Sequence, residues 1–192
     1  MELLIASHNE GKIREFRELL EPLGYSVLSA KDYGISMDAV IEDQETFRGN
    51  ARLKSKYLSE KTGLTVISDD SGLVIDALPD ILGVKSARFM GEDTSYELKN
   101  NEILRRLDGV ENRSARFHCA ISLYGPKCDE VFEGVVEGVI GPIQEGGTGF
   151  GYDPIFYPEG SNQSFGTMSH DAKNKISHRG RAVQGLLNYL RG

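Results

Sequence analysis

Residues 66–78 read VISDDSGLVIDAL: two apolar runs close on a pair of adjacent carboxylates, Asp69 and Asp70. The runs look like buried strand, and a buried strand does not tolerate uncompensated charge. This stretch limits the chain to folds that have a use for charge at a strand. In an extended backbone neighbours point to opposite faces, so Ser68 and Asp70 share one face and Ile67 and Asp69 the other. The two carboxylates therefore need not do the same job. Asp-Ser-Gly is also turn chemistry. A turn after a strand "LTVIS" (64–68) either leaves both carboxylates solvated or sets them beyond a strand's C-terminal end, where open α/β sheets bind ligands. Carboxylate oxygens are the usual protein ligands of Mg²⁺ near phosphates.

The elements around this strand alternate. "LLIA" (3–6) reads as a buried strand, and Ile13, Phe16, Leu20 and Leu23 recur at helical spacing up to Pro22 and Gly24. "YSVLSA" (25–30) is a second strand, 35–45 an acidic loop, and Thr46 to Lys61 a second helix. Strand–helix–strand–helix–strand is the signature of an α/β fold. A helix at about 94–107 precedes two alternating runs, 115–124 and 130–140, around a Gly-Pro turn, which read as an antiparallel hairpin. Val183, Leu186, Leu187 and Leu190 mark a final helix. The expectation is a single α/β domain over 1–192, built on a mixed sheet.

Composition narrows the function. With 39% hydrophobic and 27% charged residues the chain is ordinary globular protein. Its 22 basic against 29 acidic residues give a net charge of −7, a poor basis for binding nucleic acid. No apolar run is long enough for a membrane span, and no signal peptide is recognisable. Cys119 and Cys128 are then expected as reduced thiols in a cytoplasmic protein.

Four further stretches carry chemistry. "SHNEGK" (7–12) joins the first strand to the first helix. Asn9 and Gly11 suit a tight loop, and the stretch is either a helix N-terminus that with Lys12 suits phosphate or a plain strand–helix turn with a surface lysine; it is not a Walker loop. In "TFRGNARLKSK" (46–56), Asn50 and Lys54 lie beside apolar positions on one helix face, as a polar pocket or as a snorkelling lysine. "GGTGFGYDP" (146–154) sets glycines around Phe150 and Tyr152, which either wrap a flat ligand or turn into the core. "SHDAKNKISHRGRA" (169–182) gathers Lys173, His178 and Arg179, as a solvated helix start capped by Ser177 or as an anion or carbonyl site.

In order along nearly the whole chain, "SHNEGKIREF", "TFRGNARLK", "SDDSGLVIDAL", "GVKSARF", "RFHC", "GTGFGYDPIF" and "ISHRGRA" resemble the inosine triphosphate pyrophosphatase family. The resemblance implies a two-lobed α/β fold with a mixed, twisted sheet flanked by helices and the active site between the lobes, and a homodimer. It also implies Mg²⁺-dependent conversion of deaminated purine nucleoside triphosphates (ITP, dITP, XTP) to the monophosphate and pyrophosphate. Carried over by motif, Ser7, His8, Asn9, Glu10, Gly11 and Lys12 hold phosphates, with Lys54 as a further cation. Asp70 is the proton acceptor and, with Glu42, a metal ligand. Ser71 contacts substrate. Phe150, Gly151, Tyr152 and Asp153 shape the base and sugar pocket, and Lys173, His178 and Arg179 contact the nucleotide. A non-catalytic nucleotide sensor would need the phosphate loop and base pocket but no water-directing carboxylates, so the intact "SDDSG" favours the enzyme.

Overall fold

The computed structural model describes residues 2–147 and 149–192. Thr148, in the glycine-rich stretch, lies outside the described residues. The strands are β1 (Glu2–Ile5), β2 (Ser26–Ser29), β3 (Val66–Ile75), β4 (Ser114–Gly125), β5 (Cys128–Ile140) and β6 (Phe156–Pro158). The helices are α1 (Glu10–Leu20), α2 (Phe47–Thr62), α3 (Tyr96–Arg106), α4 (His170–Ile176) and α5 (His178–Arg191). The sheet order is β2-β1-β3-β4-β5-β6.

β1 pairs in parallel with both β2 and β3. Thr65 lies beside Gly125 and the Asp76 N–H donates to the Ser114 carbonyl, so β3 and β4 run antiparallel. Only Pro126 and Lys127 separate β4 from β5, and a two-residue connection makes strands antiparallel. β6 closes the order antiparallel to β5. The mixed α/β sheet is the one the alternating elements and the hairpin predict.

The chain divides into two compact units, one of residues 2–70, 119–134 and 179–192, the other of 71–118 and 135–178. It passes between them after Asp70, His118, Gly134 and His178. In the first unit the strands are covered on both faces. Leu3, Ile5 and Ile67 pack with Ile13, Phe16 and Leu20 of α1 and Val183, Leu186 and Leu187 of α5. Leu4, Ala6 and Val66 point the other way, onto a cluster that includes Leu58 of α2. Burial on both faces explains why "LLIA" is apolar without alternation. The second unit has its own core, with Leu73, Ile75, Ile103, Phe117, Val136 and Phe156 among its members.

Four expectations need correction. β3 does not stop at Ser68; it runs on through the Asp pair to Ile75, since compensating side chains meet the carboxylates on both faces. α1 ends at Leu20, where Glu21–Leu23 tighten into a 3-10 turn around Pro22, and Leu23 is exposed. Gly11 lies in the first turn of α1 rather than in a loop, because the Asn9 side chain already caps the helix by accepting from the Lys12 N–H at 3.1 Å. The basic stretch is two helices, α4 and α5, rather than one helix start, and Ser177 between them is extended and stands at the expected N-cap position of α5. The sequence reading has no counterpart for β6, a three-residue edge strand ending in Pro158. Such a strand is too short for periodicity, and proline is tolerated at an edge.

Gly138 pairs with Pro158, and a Cβ there would overlap the Tyr157 carbonyl and the Phe156 ring. Gly138→Ala should therefore cost about 1–3 kcal/mol, as overpacking does, and lower Tm by several degrees. Gly147→Ala, which meets nothing within 4 Å, is the control and should leave Tm unchanged. Equal melting curves for the two variants would show that β6 does not hold against β5.

Candidate active site

Within the first unit the last parallel pair of β1 and β3 is Ile5 with Ile67, and the Asp pair follows two residues later. The alternation expected of an extended chain holds through it. Ser68 donates to the Ala51 carbonyl and Asp70 accepts from Asn50 Nδ2 at 3.0 Å, both partners on α2. Asp69 faces α1 and α5, with its Oδ2 at 3.1 Å from Lys12 Nζ and 2.8 Å from Arg179 Nη2.

Asp69 is fully buried, and so is Arg179, whose Nη1 pairs with the buried Glu15 of α1. Burial alone would raise the Asp69 pKa, but Lys12 and Arg179, with Lys54 beyond, hold the carboxyl far below its ordinary range. Burial would lower Lys12 and Arg179; the neighbouring carboxylates outweigh it and keep both raised and charged. The buried thiol of Cys119, 4.0 Å from Asp69, is pushed up to about 12 chiefly by burial and stays neutral. Cys119 and Cys128 are both free.

Asp70 differs. Burial pushes its pKa up, Lys54 and Lys12 pull it down, Glu42 pushes it up again, and the net direction is upward. It is the more basic of the two carboxylates. Asn50 fixes it and also accepts from the Gln44 N–H at 3.0 Å, tying Asp70 to the acidic loop. From that loop Glu42 reaches Lys54 Nζ at 3.0 Å. Asp70 and Glu42 thus supply hard carboxylate oxygens near one another, in a place where burial disfavours the charge of Asp70. Among the described residues no three His, Cys, Asp or Glu side chains converge as a closed metal cage. One or two carboxylates with substrate phosphates completing the shell is how Mg²⁺ is usually held, so the donor set fits that ion.

The 7–12 segment rises from β1 to the N-terminus of α1. Ser7 Oγ accepts from the Asn9 N–H at 3.1 Å, and Glu10 is exposed. His8 Nε2 accepts from the Met37 N–H at 2.7 Å. Lys12, on this same segment, is the residue that reaches Asp69.

The remaining predicted residues lie in the second unit. Ser71 is half-buried in β3. Asp153 is buried and its Oδ2 accepts from Lys173 Nζ at 2.7 Å and from the Phe150 N–H at 2.8 Å. The Lys173 ammonium stands 5.1 Å from the half-buried Phe150 ring. Gly149, at φ +77°, passes so close to the Asp153 carboxylate that any side chain would overlap it. Tyr152 turns into the core and donates to the Ser86 carbonyl. The His178 ring is buried and stacks on Phe117 at 4.7 Å. Lys173, His178 and Arg179 are all buried, which overturns the solvated helix start.

Glu15, which the sequence reading did not name, is the counter-charge of Arg179; its signal was a carboxylate between Ile13 and Phe16 on the apolar stripe of α1. Asn50, read with Lys54 as a polar pocket on α2 but given no role, orients Asp70.

The chain is a member of the Ham1 family, whose model matches residues 3–189. It is 44% identical to a dITP/XTP pyrophosphatase of Bacillus licheniformis, over 96% of this chain and 95% of that one. A dITP/XTP pyrophosphatase of Bacillus anthracis is 43% identical over 96% and 94%. Among solved structures, the Staphylococcus aureus Ham1 protein superposes with a TM-score of 0.87 at 39% identity, covering 100% of this chain and 99% of that one.

Asp69→Asn should destabilise the protein by about 3–5 kcal/mol at neutral pH, since it strands Lys12 and Arg179. A carboxyl with a depressed folded pKa stabilises fully above its ordinary value of 3.8, and that contribution fades as pH falls below it. The gap between parent and variant in denaturant titrations should be constant above about pH 4 and narrow steadily as the pH is lowered toward about 2. A gap that stays constant over that window would show that Asp69 is not held ionised.

Proposed function

We propose that this chain hydrolyses deaminated purine nucleoside triphosphates (ITP, dITP and XTP) to the monophosphate and pyrophosphate, clearing them from the nucleotide pool. The observation that carries the reading is Asp70: a buried carboxylate with its pKa raised, oriented by Asn50 and flanked by Lys54, Lys12 and Glu42. A general base works best when its pKa is moved toward the working pH. A nucleotide sensor would have no use for that basicity. Family membership and the names of the curated relatives support the same chemistry and the same substrates.

In this reading Asp70 takes the proton of the attacking water, and Asn50 keeps its oxygen aimed. The N-terminus of α1, with Ser7 to Lys12, receives phosphate oxygens. Lys12 and Lys54 offset the charge that develops on the leaving pyrophosphate. Asp70 and Glu42 would hold Mg²⁺, which when bound supplies Lewis-acid neutralisation of phosphate oxygens. In the second unit Phe150 offers a ring on which a purine stacks, while Asp153 and Lys173 support the loop that carries it. A 6-oxo purine presents an acceptor where adenine presents a donor, so a donor at that position, from His178 or Arg179, discriminates against ATP. The net charge of −7 suits a small-nucleotide enzyme rather than a nucleic-acid binder. The family resemblance supports a cytoplasmic homodimer. No helix among the described residues is long and apolar enough to cross a membrane.

Asp70→Asn keeps shape and removes basicity; kcat should fall by at least ~10²-fold at saturating Mg²⁺ with the fold intact. Turnover within a few-fold of the parent would move the proton acceptor elsewhere. Hydrolysis of ITP in ¹⁸O-water, without added pyrophosphatase, should yield pyrophosphate as first product and place the label on IMP. Orthophosphate and IDP as products would overturn the pyrophosphatase reading.

A further inference from the structure

In the second unit α3 presents Tyr96 and Asn100, one turn apart, to the stretch 144–152. Asn100 is 1% exposed, and its Nδ2 donates to the Gly151 carbonyl at 3.2 Å and to Gln144 Oε1 at 3.3 Å. Gln144 Nε2 in turn donates to the Glu97 carbonyl at 3.2 Å and to Asn101 Oδ1 at 2.7 Å. The Tyr96 ring meets Tyr152 edge-on at 5.2 Å, and it lies 3.7 Å from where a Cβ on Gly151 would stand. Gly151 has φ +69°, a conformation that favours glycine.

These contacts converge on one residue. The backbone is pinned on both sides of Phe150: its own N–H donates to Asp153, and the carbonyl of the next residue accepts from Asn100. Asn100 Oδ1 is buried with no hydrogen-bond partner among the described residues. A buried acceptor left unpaired costs stability, so packing alone would be better served by an apolar side chain of the same size. What the amide contributes is its donor end, and both of its bonds go to the stretch that carries Phe150.

We propose that Asn100, backed by Gln144, is a positioning residue that sets the Phe150 ring in the orientation on which the purine stacks, and so sets affinity for the base without touching it. This rests on the pyrophosphatase reading and on Phe150 as the stacking face. Asn100→Leu preserves volume and removes the donor. It should raise KM for ITP about tenfold, the loss of one well-placed buried hydrogen bond, with kcat within about twofold. The inhibition constant of inorganic tripolyphosphate, which has no base, should not change. A KM equal to the parent's, or a KM and a tripolyphosphate constant that rise together, overturns the proposal. If Asn100→Leu does not fold by circular dichroism, the half-buried Gln144→Met decides: the same pattern at smaller amplitude supports the clamp, and parental KM rejects it. If the parent leaves ITP and XTP intact, the pyrophosphatase reading fails by itself. Calorimetry with IMP then tests the clamp separately, with weaker binding in the variant expected and equal binding overturning it.

Discussion

A fully buried aspartate held ionised between a lysine and an arginine is the constraint on which the first unit depends. Asp69 needs both cations on its own face of the strand, which fixes Lys12 of α1 and Arg179 of α5 to that side. Arg179 is itself buried and needs a second anion, which Glu15 supplies. Two positive and two negative groups cancel, and the adjacent Cys119 thiol, pushed up to about 12, adds no charge. A set balanced in this way tolerates burial, whereas removing any member strands a charge. The apolar contacts of α1 and α5 with Leu3, Ile5 and Ile67 keep those helices where the charges require them.

The same strand gives its other face to a different purpose. One residue further on, Asp70 meets Asn50 and Lys54 of α2 and remains the more basic carboxylate. Adjacent aspartates therefore meet different partners and shift in opposite directions through the pleat alone. The second unit repeats the logic on a smaller scale. Asp153 and Lys173, each 3% exposed, neutralise one another under the loop that bears Phe150.

Much of this was legible beforehand. The face assignment of Ser68 and Asp70 against Ile67 and Asp69 needed only the two-residue period of a strand, and the contacts follow it. The second helix reads as starting at Thr46, one residue early: Thr46 is its N-cap and accepts from the Gly49 N–H. What failed was local chemistry overruled by distant partners. Asp-Ser-Gly reads as a turn, yet it lies inside β3, because the compensating cations come from residues 12 and 179. The solvated reading of 173–179 failed for the same reason: its counter-ions, Glu15, Asp69 and Asp153, are remote in sequence. Val131, Val135 and Val139 share a face with Glu133 and Glu137, and the core is reached instead by Val136 and Ile140. Periodicity named the strand but not which side was inward.

The chain passes between its two units after Asp70, His118, Gly134 and His178, and that order bears on how the protein emerges from the ribosome. Once residue 178 has been synthesised, every described residue of the second unit exists and its core can close. The first unit is then still missing α5, so α1 alone covers that side of its strands and Asp69 has Lys12 but no guanidinium. The unit that holds the Asp pair is thus completed after the other, although its strands β1 and β2 precede every strand of that other unit. Until α5 is made, that side of the strands keeps apolar surface that α1 does not cover, and a truncation before Arg179 leaves it open.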